Sequence, residues 1–197
     1  MKPRTLLIGV LLLSWLLHSQ MSNAWVDYDR SVTVRTPPKQ GQIDKAPFNF
    51  GEFTIVPRAS FDIEARVLSR KSYLFGTEAK LSPVDFAMGW GPMSNYHVLK
   101  DLRISQNNRW YFYRYREAPI MPSEIIRNSA NMHMIPADKY VKKKLMDVRR
   151  GRIVRIKGYL VNVRGPNGWH WNSSMTRTDS GNGSCEIIFV EDIEIQS

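Results

Sequence analysis

Apolar residues recur at every second position over much of this chain, and the helical period of 3.6 is rare. Phe61, Ile63, Ala65 and Val67 alternate with Asp62, Glu64, Arg66 and Leu68, the pattern of a half-buried strand. Val154, Ile156 and Leu160 alternate with Arg155, Lys157 and Tyr159, and Gly158 interrupts that strand where a bend or bulge is expected. Trp110 to Arg116 has strand composition, with Tyr111, Tyr113 and Tyr115 on one face and Trp110, Phe112, Arg114 and Arg116 on the other; with neither face plainly polar, it reads as a central strand or one lining a groove. The last strand spans Cys185 to Ile195, with Ile187, Phe189, Ile193 and Ile195 inward and Glu186, Asp192 and Glu194 outward.

Turn chemistry separates these runs. Gly165-Pro166-Asn167-Gly168 is a turn, Trp169-His170-Trp171 opens the strand after it, and Gly181-Asn182-Gly183 favours a tight hairpin. Helix is predicted at Pro122–Arg127, started by proline, and at Ala137–Val148, with Tyr140, Val141, Leu145 and Val148 on one face and Lys142, Lys143 and Lys144 on the other. The fold class that follows is mainly β: a small antiparallel β-barrel with one or two short helices, one of them plugging an end.

The first 24 residues have a different organisation. Lys2 and Arg4 precede the apolar run Leu6 to Leu17, and Ser22 and Ala24 supply small residues at a cleavage-site spacing. This is the layout of a secretory signal peptide. If retained, residues 5–17 would be a membrane anchor, although they are shorter than the ~20 residues a span needs. Residues 25–51, with Pro37-Pro38, Gly41 and Pro47, read as an extended tether, and residues 52–197 as the folded body. A periplasmic or secreted protein is expected, or one anchored in an inner membrane with its domain outside the cytoplasm.

The chain of 197 residues carries a formal net charge of +10. Such a surplus favours anionic partners. Cys185 is the one cysteine, so no intrachain disulfide forms, and its parity with Ile187 and Phe189 marks a buried, inert thiol. The histidines lack metal-ligand spacing, and neither a metal nor a cofactor is expected.

The run Val148 to Val161, with a turn glycine before a basic and apolar alternating strand that a second glycine interrupts, resembles the first strands of oligonucleotide/oligosaccharide-binding (OB-like) barrels. The phrases Leu81–Ser94 and Ser129–Ala137 resemble those of an uncharacterised family of bacterial exported or membrane-anchored proteins; that resemblance brings no activity with it.

Two kinds of site are legible. His133 lies in apolar company between Met132 and Met134, where an imidazole can act as a base, and Asp85 lies between Val84 and Phe86. With Ser94, Ser105 or Ser129 they would complete a hydrolytic set, although no elbow motif supports that set; the competing structural roles are a core histidine and an acid that caps a turn or pairs with an arginine inside the barrel. The second kind is an aromatic and basic surface, for which Trp90, Trp110, Tyr113, Arg114, Arg116, Arg155 and Trp169 are the candidates. It suits an anionic envelope ligand, a glycan or lipid head group. Single-stranded nucleic acid fits the chemistry but not an exported location. The expectation is a non-enzymatic envelope binding or assembly module, with an envelope hydrolase as the alternative. A further option is an envelope protein partner held by the loop Gly89-Trp90-Gly91-Pro92.

Overall fold

The computed structural model describes residues 30–176 and 184–196. Ten strands are present among them: β1 (Lys39–Gly41), β2 (Phe48–Phe50), β3 (Phe53–Ser72), β4 (Val84–Gly89), β5 (Arg103–Asn107), β6 (Trp110–Arg114), β7 (Ser129–Pro136), β8 (Ile153–Arg164), β9 (His170–Trp171) and β10 (Glu186–Ile195). The helices are α1 (Thr77–Leu81), α2 (Tyr96–Leu99), α3 (Pro122–Arg127) and α4 (Lys139–Asp147).

Five strands close a ring in the order β3-β4-β7-β10-β8 and back to β3. The 20-residue β3 makes closure possible, because it bends from β8 to β4 along its length. Its first part pairs with β8 from Thr54↔Arg164 to Arg66↔Ile153, and its last part pairs with β4 from Arg66↔Gly89 to Ser72↔Val84. Bulges at Pro57/Ala59 and Val67/Ser69 supply the curvature. All ring pairings are antiparallel except β7 with β10.

Period two then sorts the side chains. Phe61, Ile63, Phe86, Met88, Met132, Met134, Ile156, Leu160 and Ile188 fill the interior of the ring. Helix α4 closes it with Val141, Leu145 and the following Val148; Asp138 caps its start by accepting a hydrogen bond from the Val141 N–H at 2.8 Å. Tyr140, expected on the buried side, is 64% exposed because the inward stripe of so short a helix is filled by Val141 and Leu145.

Gly158 pairs with Val190, where β10 bulges before Asp192. A methyl group on Gly158 would overlap the Phe189 carbonyl, so the close passage of the two strands requires glycine here. The bulge also corrects the expected faces of the last strand. Ile188, Val190 and Ile193 point inward, Ile187 and Phe189 join an outer cluster, Glu186 is buried and Ile195 is exposed. Strict alternation does not survive an inserted residue.

Two further expectations change. Within the span expected as a tether, β1 pairs with Phe61 and its neighbours, β2 pairs with Ile55, and Val34 enters the core. The segment Trp110–Arg116 is not a central strand: β6 pairs with β5 alone, in a separate two-stranded sheet. Its Tyr111 and Tyr113 pack on a second cluster with Leu68, Ala87, Met93 and Ile125, which holds the hairpin against the outside of β3 and β4. Residues 1–29 and the expected Gly181-Asn182-Gly183 hairpin lie outside the described residues.

Candidate functional site

Asp85 and His133 face each other directly across β4 and β7 on the outer side of the ring. Their parity follows from the inward Phe86 and Met132. Both are buried, Asp85 completely, and Asp85 Oδ2 lies 3.0 Å from His133 Nδ1 without hydrogen-bond alignment. Asp85 Oδ1 accepts from Arg109 Nη1 at 2.7 Å and from Ser82 Oγ at 3.2 Å. The Arg109 guanidinium also donates to the Ser82 carbonyl at 3.1 Å and lies 3.8 Å over the Tyr73 ring; His133 packs against Trp171 at 4.6 Å.

Arg109 reaches this position from the turn of the β5–β6 hairpin. Asn108 and Arg109 have φ of 48° and 68°, the pair of left-handed residues of a tight hairpin turn. For an arginine this conformation costs roughly 1–2 kcal/mol. Several bonds hold it there. The Arg109 N–H donates to Tyr73 Oη at 3.0 Å, and its carbonyl accepts from Asn131 Nδ2 at 2.8 Å. Gln106 Nε2 in turn donates to Asn131 Oδ1 at 2.6 Å. Burial pushes the Tyr73 hydroxyl up to about 12, and likewise Tyr111, whose hydroxyl bonds Ser129 Oγ at 2.6 Å.

The two catalytic candidates therefore meet, but in a sealed network. No hydroxyl is hydrogen-bonded to His133 among the described residues. Ser82 touches the carboxylate rather than the imidazole. Ser129 is held by Tyr111 and the Ile125 carbonyl, and Ser94 by Val34 and Gly91. Ser105 stands on the exposed face of β5. Among the described residues no group of three His, Cys, Asp or Glu is placed to hold a metal ion. An arginine partner for Asp85 inside the barrel was one structural role expected from sequence; the partner is Arg109, and the pair lies on the outer side of the ring instead.

The seven surface candidates divide. Trp90, 2% exposed, belongs to the ring interior, and the Gly91 N–H donates to the Val34 carbonyl, so the expected docking loop folds inward. Tyr113 faces the second cluster. Arg155 lies elsewhere, on β8, in a bidentate pair with Asp62 at 2.8 and 3.1 Å that holds the Asp62 carboxyl below its usual range. Trp110 and Arg114 do come together on the outer face of β6, and Arg116 follows two residues on. Phe112 lies between Trp110 and Arg114, 50% exposed, and β5 places Arg103 directly opposite Arg114. Phe112 and Arg103 complete this face and were not among the candidates; the signal for Phe112 was its parity with Trp110 and Arg114.

Trp169 lines a separate cleft of about 590 Å³ between the β3–β4 and β8–β9 connections. Thr77, Lys80, Asn167 and His170 supply its polar groups, and Lys80 pairs with Glu52 at 2.7 Å. No family model, characterised protein or solved structure matches this chain.

Proposed function

We propose that this protein is a non-enzymatic binding module that holds an anionic polymer across the outer face of the β5–β6 hairpin. One observation carries the reading. Arg103 and Arg114 stand directly opposite each other on an exposed face, and no carboxylate pairs with either among the described residues. Like charges in that position destabilise a hairpin unless an anion lies between them. The half-exposed Phe112 and Trp110 add ring faces on which sugars or bases stack.

The topology supports the same reading. Counted along the ring, the strands follow the order 1-2-3-5-4-1 with a helix between the third and fourth, which supports reading the ring as an oligonucleotide/oligosaccharide-binding barrel. In such barrels the second and third strands present the ligand face. Here those strands are β4 and β7, and the hairpin covers them, so its outer surface stands where a ligand would lie. The signal-like start of the sequence supports a place outside the cytoplasm, where acidic glycans and lipid head groups are the available polyanions.

The cleft beside Trp169 favours a second ligand chemistry. Its single carboxylate and its lysine neutralise each other, leaving an indole with hydroxyl and amide groups, which suits a neutral sugar. A hydrolase reading keeps the Asp85–His133 pair but lacks, among the described residues, a nucleophile bonded to the imidazole.

The test is titration of the full chain with acidic oligosaccharides and with single-stranded oligonucleotides, followed by tryptophan fluorescence at low and high salt. Phe112→Ala and Arg114→Gln are each expected to weaken binding about tenfold or more, with folding unchanged. Unchanged affinity in both variants defeats the proposal. Binding of neutral sugars that is lost in His170→Ala instead supports the cleft.

A further inference from the structure

Residues 138–152 carry seven cations against two acids. On α4, Val141 and Leu145 face inward, so Lys139, Lys143 and Asp147 form the opposite stripe, with Met146 beside it and Lys142 and Tyr140 at its margins. Asp138 is occupied with the cap, and Lys144 with the Ile193 carbonyl and Asp192. The side chains of Lys139, Lys142, Lys143, Arg149 and Arg152 have no ion-pair or hydrogen-bond partner among the described residues. Asp147 is the one exposed acid on this helix.

The same face is where the chain enters the domain. The buried Arg66 guanidinium donates to the carbonyls of Val32 at 2.7 Å, Gly151 at 2.8 Å and Ser94 at 2.8 Å. That clamp fixes the segment around Val32 beside the loop that follows α4. Arg30 and Arg35 are exposed there. Ahead of them in sequence lies the apolar run Leu6 to Leu17, and residues 18–29 reach at most roughly 40 Å when fully extended.

We infer that the surface made by α4, the Arg149–Arg152 loop and the segment around Arg35 docks on a membrane rich in anionic lipid. The inference goes beyond the polymer-binding reading and does not depend on it. Lysine stems lie along an apolar boundary while their ammonium groups meet phosphates, and an exposed tyrosine suits the head-group layer. Among the described residues no helix is long and apolar enough to cross a membrane. Each cation near such a membrane shifts association by about fivefold, so three together are worth on the order of a hundredfold.

Amide hydrogen exchange of the full chain tests this, with vesicles of phosphatidylcholine alone or mixed with phosphatidylglycerol. Insertion of the N-terminal apolar run would hold the chain on both vesicles, so the readout is the local exchange of residues 139–152. Exchange there is expected to slow on anionic vesicles only. The triple variant Lys139→Gln, Lys142→Gln, Lys143→Gln should abolish that slowing while the exchange of β3 stays unchanged. Equal exchange on both vesicles would overturn the inference. Slowing confined to the hairpin, or to the exposed Leu74 and Phe75 at the tip of the β3–β4 connection, would overturn it as well.

Discussion

The two faces of the β5–β6 hairpin are built from the same residue types and behave in opposite ways. The hairpin aims Arg109 and Tyr111 at the ring, where the guanidinium meets the buried Asp85 and the phenol meets Ser129. Outward it carries Arg103, Phe112 and Arg114, none of them bonded to a neighbouring side chain among the described residues. Inside, a charge is tolerated because a carboxylate, two aromatic rings and a carbonyl surround it. Outside, water carries that burden and no partner is needed. An arginine on this element is thus structural or available according to whether the strand parity or the left-handed turn aims it at the ring or at water.

The largest test of the contrast is removal of the inner anion. Asp85→Ala leaves Arg109, whose side chain is 18% exposed, without its counter-ion in a largely buried site and is expected to cost about 3–5 kcal/mol. Chemical denaturation should show a lower midpoint at an unchanged slope. The double variant Asp85→Ala, Arg109→Met should recover part of that loss, since burying neither charge is cheaper than burying one. A cost below about 1 kcal/mol would mean that water reaches the network and that the inner face is not sealed.

A smaller effect is expected at alkaline pH. Burial raises Tyr111 from 10.0 to about 12, so between these values the unfolded chain releases a proton that the folded protein keeps. The stability from this group is complete below pH 10 and is lost as pH rises to about 12, on the order of 2–3 kcal/mol. Tyr73 shifts the same way but is more exposed, and contributes less. Tyr111→Phe should flatten the fall in unfolding free energy over this range; an unchanged profile would place the tyrosine in water.

The alternation of apolar residues made the strands of the ring readable, because period two survives wherever one face is buried. It failed where geometry departs from the repeat. The β10 bulge flips the faces after Val190, and no local pattern announces it. The hairpin was hidden for another reason: Tyr111, Tyr113 and Tyr115 look like a core face, and the first two do form one, but of a second cluster outside the ring, while Tyr115 is exposed. Asp85 and His133 were legible one at a time as buried polar residues. Their union is a matter of register between β4 and β7. Arg109 joins them from 24 positions away through a left-handed turn that sequence does not reserve for arginine. Trp90 shows the converse, since a tryptophan between glycines suggests a binding loop yet fills the ring interior.

The smallest expected effect separates the faces most cleanly, because its sign is unusual. Arg103→Gln removes one of two like charges that stand opposite each other, and so should raise stability by a few tenths of a kcal/mol. High salt screens that repulsion and should erase the gain. Binding of an acidic polymer should move the other way and weaken, with a shallower dependence on salt, because one cation fewer displaces counter-ions. A residue that only supports the fold would lower both quantities. A residue with no role would change neither. Opposite movement of stability and affinity is what an exposed cation kept for a ligand produces, and the same substitution at Arg109 on the inner face should lower stability several-fold more than any outer change raises it.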